Sequence, residues 1–193
     1  MHDAILGWLH GLAWLGFLLY WIASARGTKR AVRAEPPWLR VGAYWLPLAL
    51  AVALLGPGSW FGDSALRAAF VPGTPWWKTP GLLLAIAGIA LACRARFLLG
   101  RNWSSEVQIK RDHELIQAGP YRHVRHPIYS GLLLALLGTA IHIGEWRALL
   151  ALAIAAASFC YKLRHEERWL RERFGESYAA YQRRTRALIP GLF

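Results

Sequence analysis

The chain has 193 residues, a mean hydropathy of +0.25 and a formal net charge of +12 at pH 7. The length suits one soluble domain, but long uncharged apolar runs exclude that class. Of the 23 Lys and Arg residues, 20 lie in three stretches, 26–40, 94–125 and 162–186. Because positive charge marks the cytoplasmic loops of membrane proteins, this distribution indicates membrane topology, and we expect no nucleic-acid partner.

Largely apolar segments predict five transmembrane helices, since a helix needs about 20 residues to cross the bilayer core. Two of them form an N-terminal unit within 1–57, and three belong to a core within 80–193. The last two are short and joined by four residues, which predicts a tight antiparallel hairpin. The predicted spans are 4–23, 41–55, 80–99, 128–143 and 148–163.

These segments predict an all-α fold: a single integral membrane bundle of five transmembrane helices. With the N-terminus outside the cell membrane, all three basic stretches face the cytoplasm. The C-terminal tail carries aromatic residues at helical spacing, which predicts an amphipathic helix on the inner leaflet or over a functional site. We expect membrane lipids as partners, and the sequence leaves the oligomeric state open.

Two polar clusters lie at the ends of the predicted hairpin. The first, 119–131, reads GPYRHVRHPIYSG, and the second is Arg164-His165-Glu166-Glu167. Glycine and proline predict a sharply turned backbone in the first cluster. Because the two helices are antiparallel, the clusters are expected to be neighbours at the cytoplasmic face. We expect one of the two glutamates to face this site.

The spacing of Cys93 and Cys160 does not suggest a metal site, so none is predicted.

Several motifs in this half of the chain are similar to those of the isoprenylcysteine carboxyl methyltransferase family and its phospholipid methyltransferase relatives. The similarity covers about 100–190. It is carried by Gly100-Arg101-Asn102-Trp103, His113-Glu114-Leu115-Ile116, Gly119-Pro120-Tyr121, Arg125-His126-Pro127-Ile128-Tyr129-Ser130-Gly131, Glu166-Glu167, Leu170, Phe174-Gly175, Tyr178, Tyr181 and Ile189-Pro190. The resemblance implies methyl transfer from S-adenosylmethionine to a lipophilic acceptor, with S-adenosylhomocysteine as the product and a cytosolic cofactor pocket.

The resemblance also implies roles for individual residues. Arg125 or Arg164 would neutralise an acceptor carboxylate, as would Arg94 or Arg96 from the third span. Glu167 is placed with Arg125 and Arg164 among the catalytic residues, and either glutamate of the pair would bind the cofactor or hold an arginine. The cofactor-binding residues implied are His113, Leu115, Gly119, Pro120, Tyr121, His126, Pro127, Tyr129 and Glu166.

The acceptor and two other functions remain open. A carboxylate acceptor is ionised at neutral pH and needs no general base, whereas an amine acceptor needs one. The eukaryotic enzymes carry a histidine where this chain has Ser105. The alternatives are a nicotinamide-dependent membrane reductase, because sterol reductases resemble this family in their C-terminal spans, and a non-catalytic lipid-binding or partner-binding protein.

Overall fold

The computed structural model describes residues 1–25, 31–100, 103, 108–110 and 115–191, with backbone alone for 31–34 and 108–110. His113 therefore lies outside the described residues. Six main helices and two short strands follow in order along the chain: α1 (His2–Ser24), β1 (Ala31–Ala34), α2 (Pro37–Leu54), α3 (Pro75–Leu99), β2 (Gln108–Lys110), α4 (Pro127–Ile143), α5 (Trp146–Phe174) and α6 (Glu176–Arg184). Helix α2 contains a π-helical turn, Val41–Trp45.

The predicted all-α membrane fold is confirmed in its class. Four helices, α1, α2, α3 and α5, are long and apolar enough to cross a membrane, and α4 is a shorter apolar helix of 17 residues. The strands β1 and β2 pair antiparallel in a ribbon that the sequence analysis did not predict. The number of crossings stays a prediction, because α4 is shorter than a typical membrane-spanning helix.

Helix α5 is longer than predicted, so the short helix expected at 148–163 is wrong in its length. The helix runs for 29 residues through the cluster Arg164-His165-Glu166-Glu167 and ends at Phe174. Arginine, glutamate and leucine are good helix formers, so the change from apolar to charged sequence does not interrupt the helix. The helix ends before Gly175, because the φ of +52° at this glycine is incompatible with a right-handed helix.

Helices α3 and α4 approach each other so closely that only glycine fits at four positions of their contact. Added to Gly88, a Cβ atom would lie closer than 3.0 Å to the backbone of Ala135. The same clash would occur at Gly81, Gly131 and Gly138, each against the backbone of the facing helix. Small residues let membrane helices approach in this way, so the pair forms a rigid base for the polar segment that precedes α4.

Polar contacts fix the end of the bundle that carries the N-terminus. Asp3 pairs with Lys78 at the start of α3, with 3.4 Å between Oδ2 and Nζ. Thr139 Oγ1 lies 3.0 Å from His10 Nε2 and accepts a hydrogen bond of 3.0 Å from Trp14 Nε1. At the opposite end, where α3 finishes, Tyr121 donates to the Ala95 carbonyl across 3.3 Å. The N-terminus and the 119–131 cluster therefore lie at opposite ends of the bundle.

Candidate functional site

The segment before α4 is held by the C-terminal tail. The Arg125 amide donates to the Arg186 carbonyl across 2.8 Å, and the His126 amide donates to the Ala187 carbonyl across 3.0 Å. His126 is the N-cap residue of α4, and Pro127 occupies the first helical position, where proline is favoured because it needs no amide partner. The backbone that carries Arg125 and His126 is thus fixed by the C-terminal tail and by the start of α4.

His126 lies between the two glutamates of α5. Its Nδ1 is 3.5 Å from Glu166 Oε2, and its Nε2 is 3.3 Å from Glu167 Oε1. The predicted proximity of the two clusters is confirmed, although they are about 40 residues apart in the chain. The expectation that only one glutamate faces the site is wrong. Adjacent helical residues differ by about 100° in direction, and the imidazole fills the angle between them with one nitrogen toward each carboxylate.

The carboxylates determine the charge state of His126. Burial by itself lowers the pKa of this imidazole, but hydrogen bonds and the charges of Glu166 and Glu167 outweigh burial and raise its pKa above the ordinary 6.5. Arg125 adds a second cation, with its Nε 2.5 Å from Glu167 Oε1. Its Nη1 also donates to the Thr185 carbonyl across 2.6 Å. Arg125 and His126 therefore both contact Glu167, and His126 also contacts Glu166.

Glu166 also connects the cluster to the interior of the bundle. Tyr129 donates to Glu166 Oε1 across 2.7 Å. Lys162, one helical turn before Glu166, is only 9% exposed. Its Nζ lies 5.6 Å from the centre of the Tyr129 ring and 5.5 Å from that of Tyr44. The sequence analysis missed Lys162, although a single lysine at the end of an apolar run, one turn before two glutamates, is a usable signal.

The turn 119–122 adopts the conformation expected from its glycine and proline. Gly119 has a φ of +58°, and a Cβ atom there would meet Leu98 Cδ1 at 2.6 Å. Tyr121 is buried in the core, and Tyr181 of α6 donates to its carbonyl across 2.6 Å. Leu115, at the start of this described stretch, is half-buried. The turn therefore packs under the tail and next to the carboxylate cluster.

Helix α6 contacts the cluster; the sequence analysis expected this helix on the inner leaflet or over the site, and its position relative to the membrane stays a prediction. Gln182 Nε2 donates to Glu167 Oε2 across 3.1 Å. Tyr178 is 1% exposed, and its hydroxyl has no hydrogen-bond partner among the described residues. Burial, followed by the charge of Glu167, raises the pKa of Tyr178. A buried hydroxyl without a partner is rare, and here it lies close enough to Glu167 and Arg125 to feel both charges.

Three of the arginines considered for the acceptor lie outside the carboxylate cluster, and their role stays a prediction. Arg164 and Arg94 are exposed, and neither takes part in the hydrogen bonds of the cluster within the described ranges. Arg96 is 3% exposed, stacks over the Trp103 ring at 4.2 Å and donates to the carbonyls of Ser24 and Gly100. Arg125 is in the cluster but is bound by Glu167. The residue that combines burial, charge and proximity is Lys162.

An open groove lies on the other side of Gln182 from Glu167. It has a volume of about 400 Å³ and is lined by Arg171, Ala179, Gln182 and Arg183. Arg171 donates to Gln182 Oε1 across 2.5 Å, so the groove and the carboxylate cluster share one side chain. The cofactor pocket stays a prediction, and part of its expected wall, including His113, lies outside the described residues.

Comparison with known proteins identifies relatives of this half of the chain. The sequence model of the isoprenylcysteine carboxyl methyltransferase family matches residues 81–172. The chain is 32% identical over 127 residues to protein-S-isoprenylcysteine O-methyltransferase B of Arabidopsis thaliana, covering 63% of this chain and 64% of that protein. It is 34% identical over 119 residues to the cobalt-zinc-cadmium resistance protein CzcN of Cupriavidus metallidurans, covering 60% of this chain and 52% of that protein.

A solved structure shares the fold. It is that of a eukaryotic intramembrane Ras methyltransferase, an isoprenylcysteine carboxyl methyltransferase, with a TM-score of 0.56 and 24% identity. The match covers 83% of this chain and 55% of the solved chain. Together with the apolar helices, it shows an integral membrane protein. The chain spans between half and about two thirds of the length of the relatives reported above.

Proposed function

We propose that the protein transfers a methyl group from S-adenosylmethionine to the carboxylate of a lipophilic acceptor, because the sequence model of the isoprenylcysteine carboxyl methyltransferase family matches residues 81–172. The observation that carries the proposal is the contact of His126 with both Glu166 and Glu167 beneath α6. The family match favours this function over the reductase and the non-catalytic alternatives.

The residues of the cluster fit the chemical groups of S-adenosylmethionine. Glu166 and Glu167 are acceptors for an ammonium group and for ribose hydroxyls, while Arg125 and His126 are donors for a carboxylate. The Tyr178 hydroxyl, buried without a partner among the described residues, offers a further donor. We propose that these five side chains bind the methyl donor, with Gly119, Pro120, Tyr121 and Leu115 as the adjoining backbone wall.

In this reaction, one side of the cluster binds the methyl donor and the other side binds the acceptor. The bound donor supplies a methyl group already activated on a sulfonium, so the protein positions the reactants and excludes water. Arg125, His126 and the two glutamates stay on the donor side. Lys162 lies one turn deeper on α5, toward the apolar part of the bundle, and neutralises the acceptor carboxylate. The oxygen of that carboxylate forms the new bond to carbon, and no base is required.

The acceptor is proposed from its chemistry and from the relatives. It requires a carboxylate for Lys162 and an apolar tail that enters from the lipid. The relatives include a protein-S-isoprenylcysteine O-methyltransferase, and a carboxylate next to an S-linked isoprenoid has both features. We therefore propose a prenylcysteine-like carboxylate as the first acceptor class to test.

Titration of the full-length protein in lipid nanodiscs with S-adenosylhomocysteine tests the donor site. We expect saturable calorimetric binding, and Glu166→Gln should weaken it about tenfold, because a hydrogen bond to a charged group contributes about 1.5–3 kcal/mol. Glu176→Gln is the matched control, since this glutamate is exposed and pairs with the exposed Arg183. A folded wild-type protein that does not bind the product would overturn the proposal.

The charge distribution further supports a location in the cell inner membrane with the site on the cytoplasmic side. The three basic stretches then all face the cytoplasm, where the methyl donor is made. The bundle is consistent with this orientation, since Asp3 and Glu167 are at opposite ends.

A further inference from the structure

The groove between the end of α5 and helix α6 presents two arginines on the surface of the protein. It is lined by Arg171 of α5 and by Ala179, Gln182 and Arg183 of α6, and its volume is about 400 Å³. Pockets for small ligands usually measure about 300–1,000 Å³. Arg171 and Arg183 are both exposed, so a ligand can reach them without any rearrangement of the bundle.

The guanidinium of Arg171 keeps most of its hydrogen-bond donors. Its Nη2 donates to Gln182 Oε1 across 2.5 Å, and within the described part of the chain Arg171 contacts no carboxylate. A guanidinium carries five N–H donors in a planar fork, and the amide that occupies one of them is uncharged. The positive charge of Arg171 and its other donors therefore remain for an anionic ligand.

Arg183 has a carboxylate partner, but the pair is weak. Its Nη2 is 2.6 Å from Glu176 Oε1, and the two side chains are 65% and 79% exposed. An ion pair that water reaches in this way contributes little, because each charge is almost as well hydrated alone. A ligand with a stronger negative charge can therefore displace Glu176 from Arg183. Together with Arg171, the groove offers two guanidinium groups to one anion.

Two arginines beside an amide are suited to a phosphate group. Guanidinium binds two phosphate oxygens at once through parallel hydrogen bonds, and these charge-assisted bonds are roughly twice as strong as neutral ones. The charge of the groove is thus complementary to a phosphate, whether the phosphate belongs to a lipid or is free in the cytosol.

The position of the groove on α5 favours a lipid. Helix α5 runs without a break from its apolar part to Phe174. Arg171 is eight residues beyond Leu163, the end of the predicted span, which corresponds to about 12 Å along the axis. The head-group layer of one leaflet is about 5–8 Å thick. Side chains on a helix lean toward its N-terminus, here toward the membrane, so the guanidinium reaches the level of the lipid phosphates.

We propose that this groove binds the head group of an anionic phospholipid of the inner leaflet, with Arg171 and Arg183 as the ligands of its phosphate. A choline head group adds a cation that both arginines repel, so an anionic lipid is preferred to phosphatidylcholine. Gln182 also donates to Glu167, which places the bound lipid next to the carboxylate cluster. The inference goes beyond the proposed function and does not depend on it.

Competition between two lipids tests the site. The full-length protein, immobilised in detergent, is equilibrated with limiting equimolar phosphatidylglycerol and phosphatidylcholine of the same acyl chains, and the bound lipids are quantified by mass spectrometry. We expect the wild type to prefer phosphatidylglycerol about tenfold, the size of one charged hydrogen bond. Arg171→Gln and Arg183→Gln should each reduce this preference about threefold, and the double variant should bind both lipids equally. Glu176→Gln should raise it about twofold, because Arg183 loses its competing carboxylate.

A double variant with Arg168→Gln and Arg173→Gln is the matched control. Both arginines are exposed on the same part of α5 and lie outside the lining of the groove, and the control loses the same charge as the double variant of the groove. It should keep the preference of the wild type. An equal loss in the two double variants would show a diffuse attraction of the basic tail and overturn the proposal. A wild type that binds both lipids equally does so as well.

Inorganic phosphate distinguishes a lipid site from a site for soluble phosphate. Added in large excess, at an ionic strength matched with chloride, it should leave phosphatidylglycerol bound, because the acyl chains add contacts that free phosphate lacks. Loss of the preference to the level of the groove double variant would assign the groove to soluble phosphate and overturn the lipid site. Circular dichroism spectra that match the wild type show that each variant is folded.

Discussion

Glu167 is the residue whose loss should affect the site most. It accepts from Arg125 and Gln182 and lies 3.3 Å from His126. Glu167→Gln keeps the shape but leaves the Arg125 guanidinium, 11% exposed, without its counterion. We expect the free energy of unfolding to fall by about 3–5 kcal/mol, as when one partner of a buried ion pair is removed. Denaturation in mixed micelles measures this, with Glu176→Gln as the control.

A loss of less than about 0.5 kcal/mol in Glu167→Gln, equal to that of the exposed control, would contradict a buried ion pair at this position. The comparison is informative because the Glu176–Arg183 pair has almost the same separation, 2.6 Å, but both side chains are exposed, by 79% and 65%.

The pH dependence of stability should report the protonation of His126. Its pKa is raised in the folded protein, so its protonated form contributes stability that is complete below the ordinary pKa of 6.5 and is lost as the pH rises through the folded value. We expect the difference in unfolding free energy between the wild type and His126→Gln to be largest below pH 6.5 and to shrink above it. Denaturation curves from pH 5.5 to 9 measure this difference, and a constant difference would refute a charged His126.

At the residue scale, sequence motifs predicted that the two polar clusters meet, but not all of the contacts between them. The His126–Pro127 step and the glutamate pair identified the two halves, since their helices form a hairpin. Whether both glutamates face inward depends on where the imidazole lies, which is a tertiary property. The contact of Glu35 with His165 joins residues 130 positions apart in two different units, and local patterns do not encode such a pair.

Because helices α3 and α4 are in close contact, we expect an added methyl group between them to lower the stability of the protein. Gly88→Ala would place a Cβ atom against the Ala135 backbone, and backbone cannot move aside as a flexible side chain does. We expect the free energy of unfolding to fall by about 1–3 kcal/mol, the usual cost of overpacking. Gly11→Ala in α1 has open space around the added atom and should be neutral or stabilising.

Thermal unfolding followed by circular dichroism compares the two alanine variants. Equal midpoints for Gly88→Ala and Gly11→Ala would show that α3 and α4 do not pack as closely as described. Because this pair supports the backbone before α4, Gly88→Ala should also weaken binding of S-adenosylhomocysteine, whereas Gly11→Ala should not.

At the element scale, apolar length predicted the ends of four helices to within one residue, but not the end of α5. Apolar runs identified the five apolar helices in the described part of the chain, because a helix satisfies its own backbone groups in lipid. The end of α5 was misplaced by eleven residues, since a charged segment leaves the membrane without leaving the helix. This continuation is what brings Glu166 and Glu167 to His126. A break at Leu163 would have left both carboxylates on an unrestrained tail.

At the scale of the whole molecule, the two units meet at the site instead of folding separately. The N-terminal unit contributes Glu35 and Tyr44, and the remainder contributes the hairpin, the turn and the tail. Arg147 strengthens this junction at the other end of the bundle, where its Nη1 donates to the Leu54 and Gly56 carbonyls at 2.6 and 2.7 Å. Changes in the N-terminal unit are therefore expected to alter the site that the family-matched residues form.

The arrangement of the bundle predicts that the two ends of the chain lie on opposite sides of the membrane. Asp3 is beside the start of α3, and the tail is bound to the cluster beyond the end of α3. Five crossings, with α4 as one of them, require this result. A protease-sensitive tag placed before residue 1 should be cleaved from outside intact spheroplasts, and a tag placed after residue 193 only after lysis. Cleavage of both tags from the same side would show that α4 does not cross the membrane.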